Sequence, residues 1–253
     1  MTFRSLLIFF ILFSLTGISH SAADDCGRVK TLNGKELKAA NGRYFIMAYD
    51  DDIHKIVRRE IKRYGDRADL NHIVTCRVTD MERLFWFSSF NGDISQWDVS
   101  NVKNMRNMFR ASKYKGDLGL WDVSNVEDMS WMFHEADFRR DIRGWNTSNV
   151  VTMKGMFAKS RFQGDIRGWN VSKVKDMSFM FHNAKWNGSL KGWDISNVKD
   201  TSYMFGGNSK FFNGSLSGWK LSEKTRSGQM FGDKEMIKLY GYNGEKIKKK
   251  AKK

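Results

Sequence analysis

Proline is absent from all 253 residues, cysteine occurs only twice and histidine only five times. Without proline there are no polyproline segments, and every tight turn falls to glycine or to short polar side chains. Two cysteines, Cys26 and Cys76, are too few for a cysteine-built metal cluster or a disulfide-dense miniature fold. They leave room for one bridge pinning the N-terminal segment to the first repeat, and the alternative is two unpaired thiols. Long apolar runs are also scarce. The stretch Leu6 to Ile18 is too short for a bilayer, which needs about 20 residues. Arg4 precedes it and Ser19, Ser21, Ala22 and Ala23 follow, the pattern of a cleaved signal peptide over residues 1–23. Asp24 and Asp25 stand where a lipid-modified Cys26 would need small residues, so a soluble exported product is expected: secreted, periplasmic or at the cell surface, with no transmembrane segment in the mature chain. Acidic residues are outnumbered. Without Arg4, 42 basic against 28 acidic residues leave a charge of +14, part of it in the lysine run from Lys246 to Lys253. Such a balance attracts anions.

What is abundant is periodicity. Trp97, Trp121, Trp145, Trp169 and Trp193 are spaced by 24 residues, and Trp219 follows after 26. Seven residues before each stands an aromatic (Phe90, Tyr114, Phe138, Phe162, Trp186, Phe212), and three before it an aliphatic (Ile94, Leu118, Ile142, Ile166, Leu190, Leu216). Met-Phe pairs recur at Met108-Phe109, Met132-Phe133, Met156-Phe157, Met180-Phe181, Met204-Phe205 and Met230-Phe231. The pattern extends backwards through Asp69, Leu70, Ile73, Val78, Met81, Leu84 and Phe85, with Ile73 in the tryptophan slot, which makes seven repeats. Polar slots recur as well: an aspartate row (Asp69, Asp93, Asp117, Asp141, Asp165), a serine row from Ser100 to Ser222, and Asn101, Asn125, Asn149 and Asn197.

One such repeat carries too few apolar side chains to offset the entropy of ordering its own backbone, so the repeats must bury their faces against one another. The expected fold is a repeat solenoid over residues 66–231, with a small α/β N-terminal cap over 24–65 and a C-terminal cap and lysine-rich tail over 232–253. Within the cap, Tyr44 to Ala48 reads as a strand, and Ile53, Ile56, Val57 and Ile61 share one face of a helix ending at Gly65. A short closing helix is expected at Met236, Ile237, Leu239 and Tyr240. Inside a repeat, the alternation at Asp93-Ile94-Ser95 suggests a short strand, and Val102, Met105, Met108 and Phe109 are spaced as in a helical or extended turn.

The repeated string F-N-G-D-I-S-Q-W-D-V-S-N-V-K-N-M-R-N-M-F, starting at Phe90, and the opening string R-V-T-D-M-E-R-L-F at Arg77 to Phe85 closely resemble the BspA-like leucine-rich-repeat surface proteins. That resemblance spans Asp66 to Phe231. It implies a leucine-rich-repeat-like solenoid, with short strands and short helical turns, displayed on or released from a microbial cell. Some members of that family are linked to adhesion, and no catalytic residues are known for the module.

The residues themselves offer little to an enzyme. Catalytic carboxylates come as two unequal groups in one cleft, whereas the five aspartates are equivalent. His134 and His182 share a slot but lie two repeats apart, roughly 10 Å at strand spacing, too far to share a zinc ion. The glycine-rich turns lack a phosphate-loop pattern. A non-enzymatic protein without cofactor or metal is therefore expected. Ligand contacts are sought where the scaffold prescribes no residue. One such slot, between the two methionines, holds Asn107, Trp131, Gly155, Phe179 and Tyr203. Its three aromatics either form an exposed binding stripe or pack against neighbouring repeats. The nearby cations Arg106, Arg110, Lys154, Lys159 and Arg161 either add a preference for anions or form a solvated face. The candidate ligand contacts are thus Arg106, Arg110, Trp131, Lys154, Phe179 and Tyr203. The expected partner is a protein or glycan of a host or cell envelope. A self-associating structural role is the alternative, and export without a recognition motif disfavours nucleic acid.

Overall fold

The computed structural model describes residues 31–32, 35–36, 42–43, 45–207, 216, 219, 221–222 and 224–231. The expected signal peptide, Cys26, Phe212 and the C-terminal cap and tail lie outside the described residues. The chain divides into two units, 1–37 and 38–253. In the first, β1 (Thr31–Leu32) pairs antiparallel with β2 (Lys35–Glu36), Thr31 opposite Glu36.

The second unit opens with β3 (Ile46–Met47), followed by α1 (Ile53–Tyr64) and β4 (Ile73–Val74). β3 runs parallel to β4, with Ile46 beside Ile73. Within the expected strand over 44–48, only Ile46 and Met47 are strand, and Tyr44 is not among the described residues. The helix forms where the apolar spacing placed it: Ile53, Ile56 and Val57 are buried, and Ile61 packs partly against the same core. Lys62 and Arg63 sit in its last turn, where cations suit the helix dipole. It stops at Gly65, whose φ of 86° is open to glycine and whose N–H still reaches the Ile61 carbonyl.

Beyond β4 the repeats hydrogen-bond to one another in parallel through single bridges. One column runs Asp80, Asn104, Asp128, Thr152, Asp176, Asp200, Arg226. The stretch with helix-like spacing is not helical. Three overlapping turns replace a helix, closed by Met108 N–H to Met105, Arg110 to Asn107 and Ser112 to Phe109. The intervening N–H groups of Met105, Asn107, Phe109 and Ala111 turn instead to Asp128, Ser130, Met132 and His134 of the next repeat. Even-numbered donors thus close the local turns and odd-numbered donors join the repeats, which satisfies the backbone without a helix. This alternation uses left-handed residues at two slots of each repeat, with φ of 56° at Asn107 and 53° at Ala111, then 58° at Trp131 and 57° at Glu135. The expected strand around Ile94 reduces likewise to one bridge, Asp69 to Asp93.

Side chains follow the same columns. Phe85, Phe109, Phe133, Phe157, Phe181, Phe205 and Phe231 stack with centroids 5.4–5.8 Å apart and planes within 13°. All six recurring tryptophans are buried. Each indole N–H donates to the carbonyl in the aliphatic slot one repeat back, as Trp121 does to Ile94 and Trp145 to Leu118 at 2.9 Å. Tryptophan rather than phenylalanine fills the slot because its ring packs while its N–H satisfies a buried carbonyl. Asn101, Asn125, Asn149 and Asn197 each donate from the side chain to a backbone carbonyl of the preceding repeat. The aspartate row acts within its own turn, each carboxylate accepting the N–H two residues on, as Asp93 does from Ser95 and Asp165 from Arg167. That is scaffolding. The core runs from Ala48 to Phe231 as one cluster.

Candidate binding surface

The slot between the methionines is one of the two left-handed positions, a conformation that costs a non-glycine residue roughly 1–2 kcal/mol. Bulky rings are not demanded there, since Asn107 and Gly155 occupy it too, with φ of 56° and 59°. Trp131, Phe179 and Tyr203 adopt the same conformation, with φ of 58°, 60° and 57°.

The rings form one row. Phe179 and Tyr203 stack at 5.0 Å and 9°. Trp131 lies two repeats from Phe179, yet their centroids are only 6.1 Å apart. Gly155 makes this possible: a β-carbon added there would stand 2.2 Å from the Trp131 ring. The indole occupies the space the absent side chain leaves. His134 meets Trp131 edge-on at 5.2 Å, and His182 meets Phe179 edge-on at 5.5 Å. Arg110 places its guanidinium 5.8 Å from the centre of the Trp131 ring and donates to the Asn107 side-chain oxygen at 3.3 Å.

Of the six candidate contacts, Arg110, Trp131, Phe179 and Tyr203 are brought together. Arg106 is exposed and Lys154 half-buried, and neither touches a ring among the described residues. The rings pack on one another along the row, and the row opens to solvent at Tyr203, 37% exposed. Cys76 is buried, its carbonyl held by Asn101.

Sequence reasoning missed the two histidines as members of the row. It weighed them only as zinc ligands, although both follow an aromatic by three residues, the step of these turns. His134 is 7% exposed and its Nδ1 has no partner. Burial pushes its pKa down to about 4, assisted by the charges of Arg110 and Lys159 and opposed by Glu135. Burial lowers the His182 pKa as well. Beside them the Lys159 ammonium, 2.8 Å from Glu135, holds that carboxyl below its ordinary range. At neutral pH the row therefore carries uncharged imidazoles between a guanidinium and an ion pair.

Two openings flank other parts of the unit. A groove of about 740 Å³ lies between α1 and the first repeat, lined by His54, Arg58, Asp80, Arg83 and Trp86 among others. A cleft of about 390 Å³ is lined by Lys115, Asp137, Arg139 and Arg140. Among the described residues no group of three or more histidine, cysteine or acidic side chains could hold a metal ion, and no helix is long and apolar enough to cross a membrane.

No curated protein and no solved structure matches the chain. One family matches twice, over residues 59–161 and 135–240, overlapping segments that together span the second half of α1 and the repeats. Two overlapping matches are what a repeated sequence gives, and the chain belongs to the repeat family described as Mycoplasma protein of unknown function, DUF285.

Proposed function

We propose that this chain is a non-enzymatic binding module: an exported, BspA-like repeat protein whose leucine-rich-repeat-like solenoid presents a ligand-binding row to a protein or glycan of a host or cell envelope. The observation that carries the reading is the Trp131–Phe179–Tyr203 row, built in strained positions that the scaffold fills elsewhere with Asn107 and Gly155. The parallel bridges from Asp80 to Arg226 support the solenoid, and the sequence features of residues 1–23 support export. A non-enzymatic role accords with the aspartate row, whose carboxylates serve their own turns.

The test is capture of envelope and host-cell surface fractions by the purified mature chain, at low and high salt. Wild type should retain a partner that a Phe179→Ala/Tyr203→Ala variant releases while keeping its circular dichroism. Loss of the two rings with capture undiminished would remove the row from the function. Turnover of a substrate by the purified chain would end the non-enzymatic reading.

A further inference from the structure

A second surface lies a few residues further along the same repeats. Lys113, Asp137, Arg161 and Lys185 occupy one slot in successive repeats, 24 residues apart, and Lys115 and Arg139 occupy the slot two residues on. With Arg140, these neighbouring slots hold six cations. All six are exposed. Asp137 is the one carboxylate within ion-pairing distance of any of them among the described residues. It takes Lys115 at 2.8 Å on one oxygen, and Arg139 at 3.3 Å and Arg161 at 3.6 Å on the other. Arg140 is fixed by its Nε, which donates to the Lys115 carbonyl at 2.8 Å and leaves the terminal nitrogens of its guanidinium without a carboxylate partner. The scaffold does not explain this charge: the slot of Lys115 and Arg139 holds Asn91, Gln163 and Asn187 in other repeats, and Arg140 stands where Gly92, Gly116, Gly164 and Gly188 recur.

Three of the cations, Lys115, Arg139 and Arg140, line the 390 Å³ cleft together with Asp137. Four successive repeats at strand spacing, about 4.8 Å each, carry the charge along roughly 14 Å. A single small anion needs no such length. A chain bearing an anionic group at every sugar or two matches it. Nucleic acid fits less well, because single strands are held by bases stacked on free rings interleaved with the cations. The aromatics next to these cations in sequence, Tyr114, Phe138, Phe162 and Trp186, are buried and offer no free ring.

We propose that this cleft binds a linear anionic polysaccharide, whose sulfate or carboxylate groups take the place of Asp137 as counter-ion to Lys115, Arg139 and Arg161. The site is separate from the aromatic row and does not depend on it. Guanidinium groups suit sulfate and carboxylate through paired N–H donors.

The test is calorimetric titration of the purified chain with dextran sulfate, a polyuronate, uncharged dextran and a single-stranded oligonucleotide, at about 50 and about 300 mM salt. Dextran sulfate or the polyuronate should bind, uncharged dextran should not, and affinity should fall at least ~10-fold across that salt range. A Lys115→Gln/Arg139→Gln/Arg161→Gln variant should lose at least ~10-fold at low salt, each lost pair also reducing the salt slope. Asp137→Asn should tighten binding about 3-fold, because it removes the internal competitor. The three cations are exposed and Asp137 is half-buried with a conservative replacement, so the variants should melt with wild type. Retention of polyanion affinity by the triple variant, or weakening by Asp137→Asn, would overturn the proposal, as would an oligonucleotide binding more tightly than either polysaccharide. The Phe179→Ala/Tyr203→Ala variant should bind the polyanions unchanged, so failure here and failure of the aromatic row read out separately.

Discussion

At the scale of single residues, the columns are strict enough that departures stand out. Tyr114 sits in a slot filled by Phe90, Phe138 and Phe162, fully buried, and its hydroxyl has no hydrogen-bond partner. Burial, with the nearby charges of Asp93 and Asp117, raises its pKa, so the group stays neutral but unsatisfied. Leaving a buried hydroxyl unpaired costs about 1–3 kcal/mol. Tyr114→Phe should therefore stabilise the protein by about 1 kcal/mol in chemical denaturation, and a loss of stability would show that the hydroxyl is served after all. His134 gives the opposite kind of test. Its pKa in the fold is about 4, against an unperturbed value of 6.5. Between those values the unfolded chain binds the proton and the folded chain resists it, so stability is complete above pH ~6.5 and drains away as pH falls towards ~4. The expected loss is on the order of 2–3 kcal/mol from this residue, at 1.36 kcal/mol per pKa unit. His182, lowered in the same direction, adds to the slope. Thermal melts from pH 7 to 4.5 should show the decline in wild type and a flatter one in His134→Gln. Equal slopes would place the acid sensitivity elsewhere.

At the scale of elements, α1 and the column positions were legible because apolar spacing and burial report the same thing. Ile53, Ile56 and Val57 are buried as their spacing requires, and so is every tryptophan of the 24-residue series. The turn chemistry was not legible. Left-handed backbone is normally announced by glycine or asparagine, but here the slots hold Trp131, Phe179, Tyr203, Glu135 and Lys159. Bonds to the next repeat override local preference, and no local rule reads them. The step of three between Met105 and Met108 looked helical because each of the overlapping turns also closes over three residues. The aromatic row was half legible: its residues were in view as a variable slot, but whether they meet depends on Gly155, one residue whose lack of a side chain lets Trp131 pass over it. Gly155→Ala tests that dependence. The new methyl group meets the indole at 2.2 Å on a backbone with φ of 59°, so the ring must leave or the turn must shift. Overpacking of this kind costs typically 1–3 kcal/mol. The variant should lose that much stability and also weaken whatever partner the row captures. Unchanged stability would mean that Trp131 is held loosely enough to move aside.

At the scale of the whole second unit, stability is carried between neighbours. Each repeat bonds to the one before and the one after, and the phenylalanine stack from Phe85 to Phe231 joins each repeat to its neighbour. A defect should therefore be felt according to its place in the row. Trp145 lies mid-series, stacked on Trp169 at 6.2 Å and bonded to Leu118. Trp219 belongs to the last tryptophan-bearing repeat and bonds to Leu190 at 3.3 Å. Replacing either by alanine removes a similar buried ring, worth about 3–5 kcal/mol locally. If coupling is strictly between neighbours, Trp219→Ala allows the terminal repeat to open alone, leaving residues before Leu190 as protected from hydrogen exchange as in wild type. Trp145→Ala cannot be relieved that way, because opening at Trp145 strands folded repeats on both sides with new exposed faces. It should lower protection throughout the series and reduce the midpoint of global unfolding by the greater amount. Hydrogen exchange resolved by peptide would decide this: equal, uniform loss in both variants would mean that the repeats melt as one cooperative body and that position along the row carries no weight.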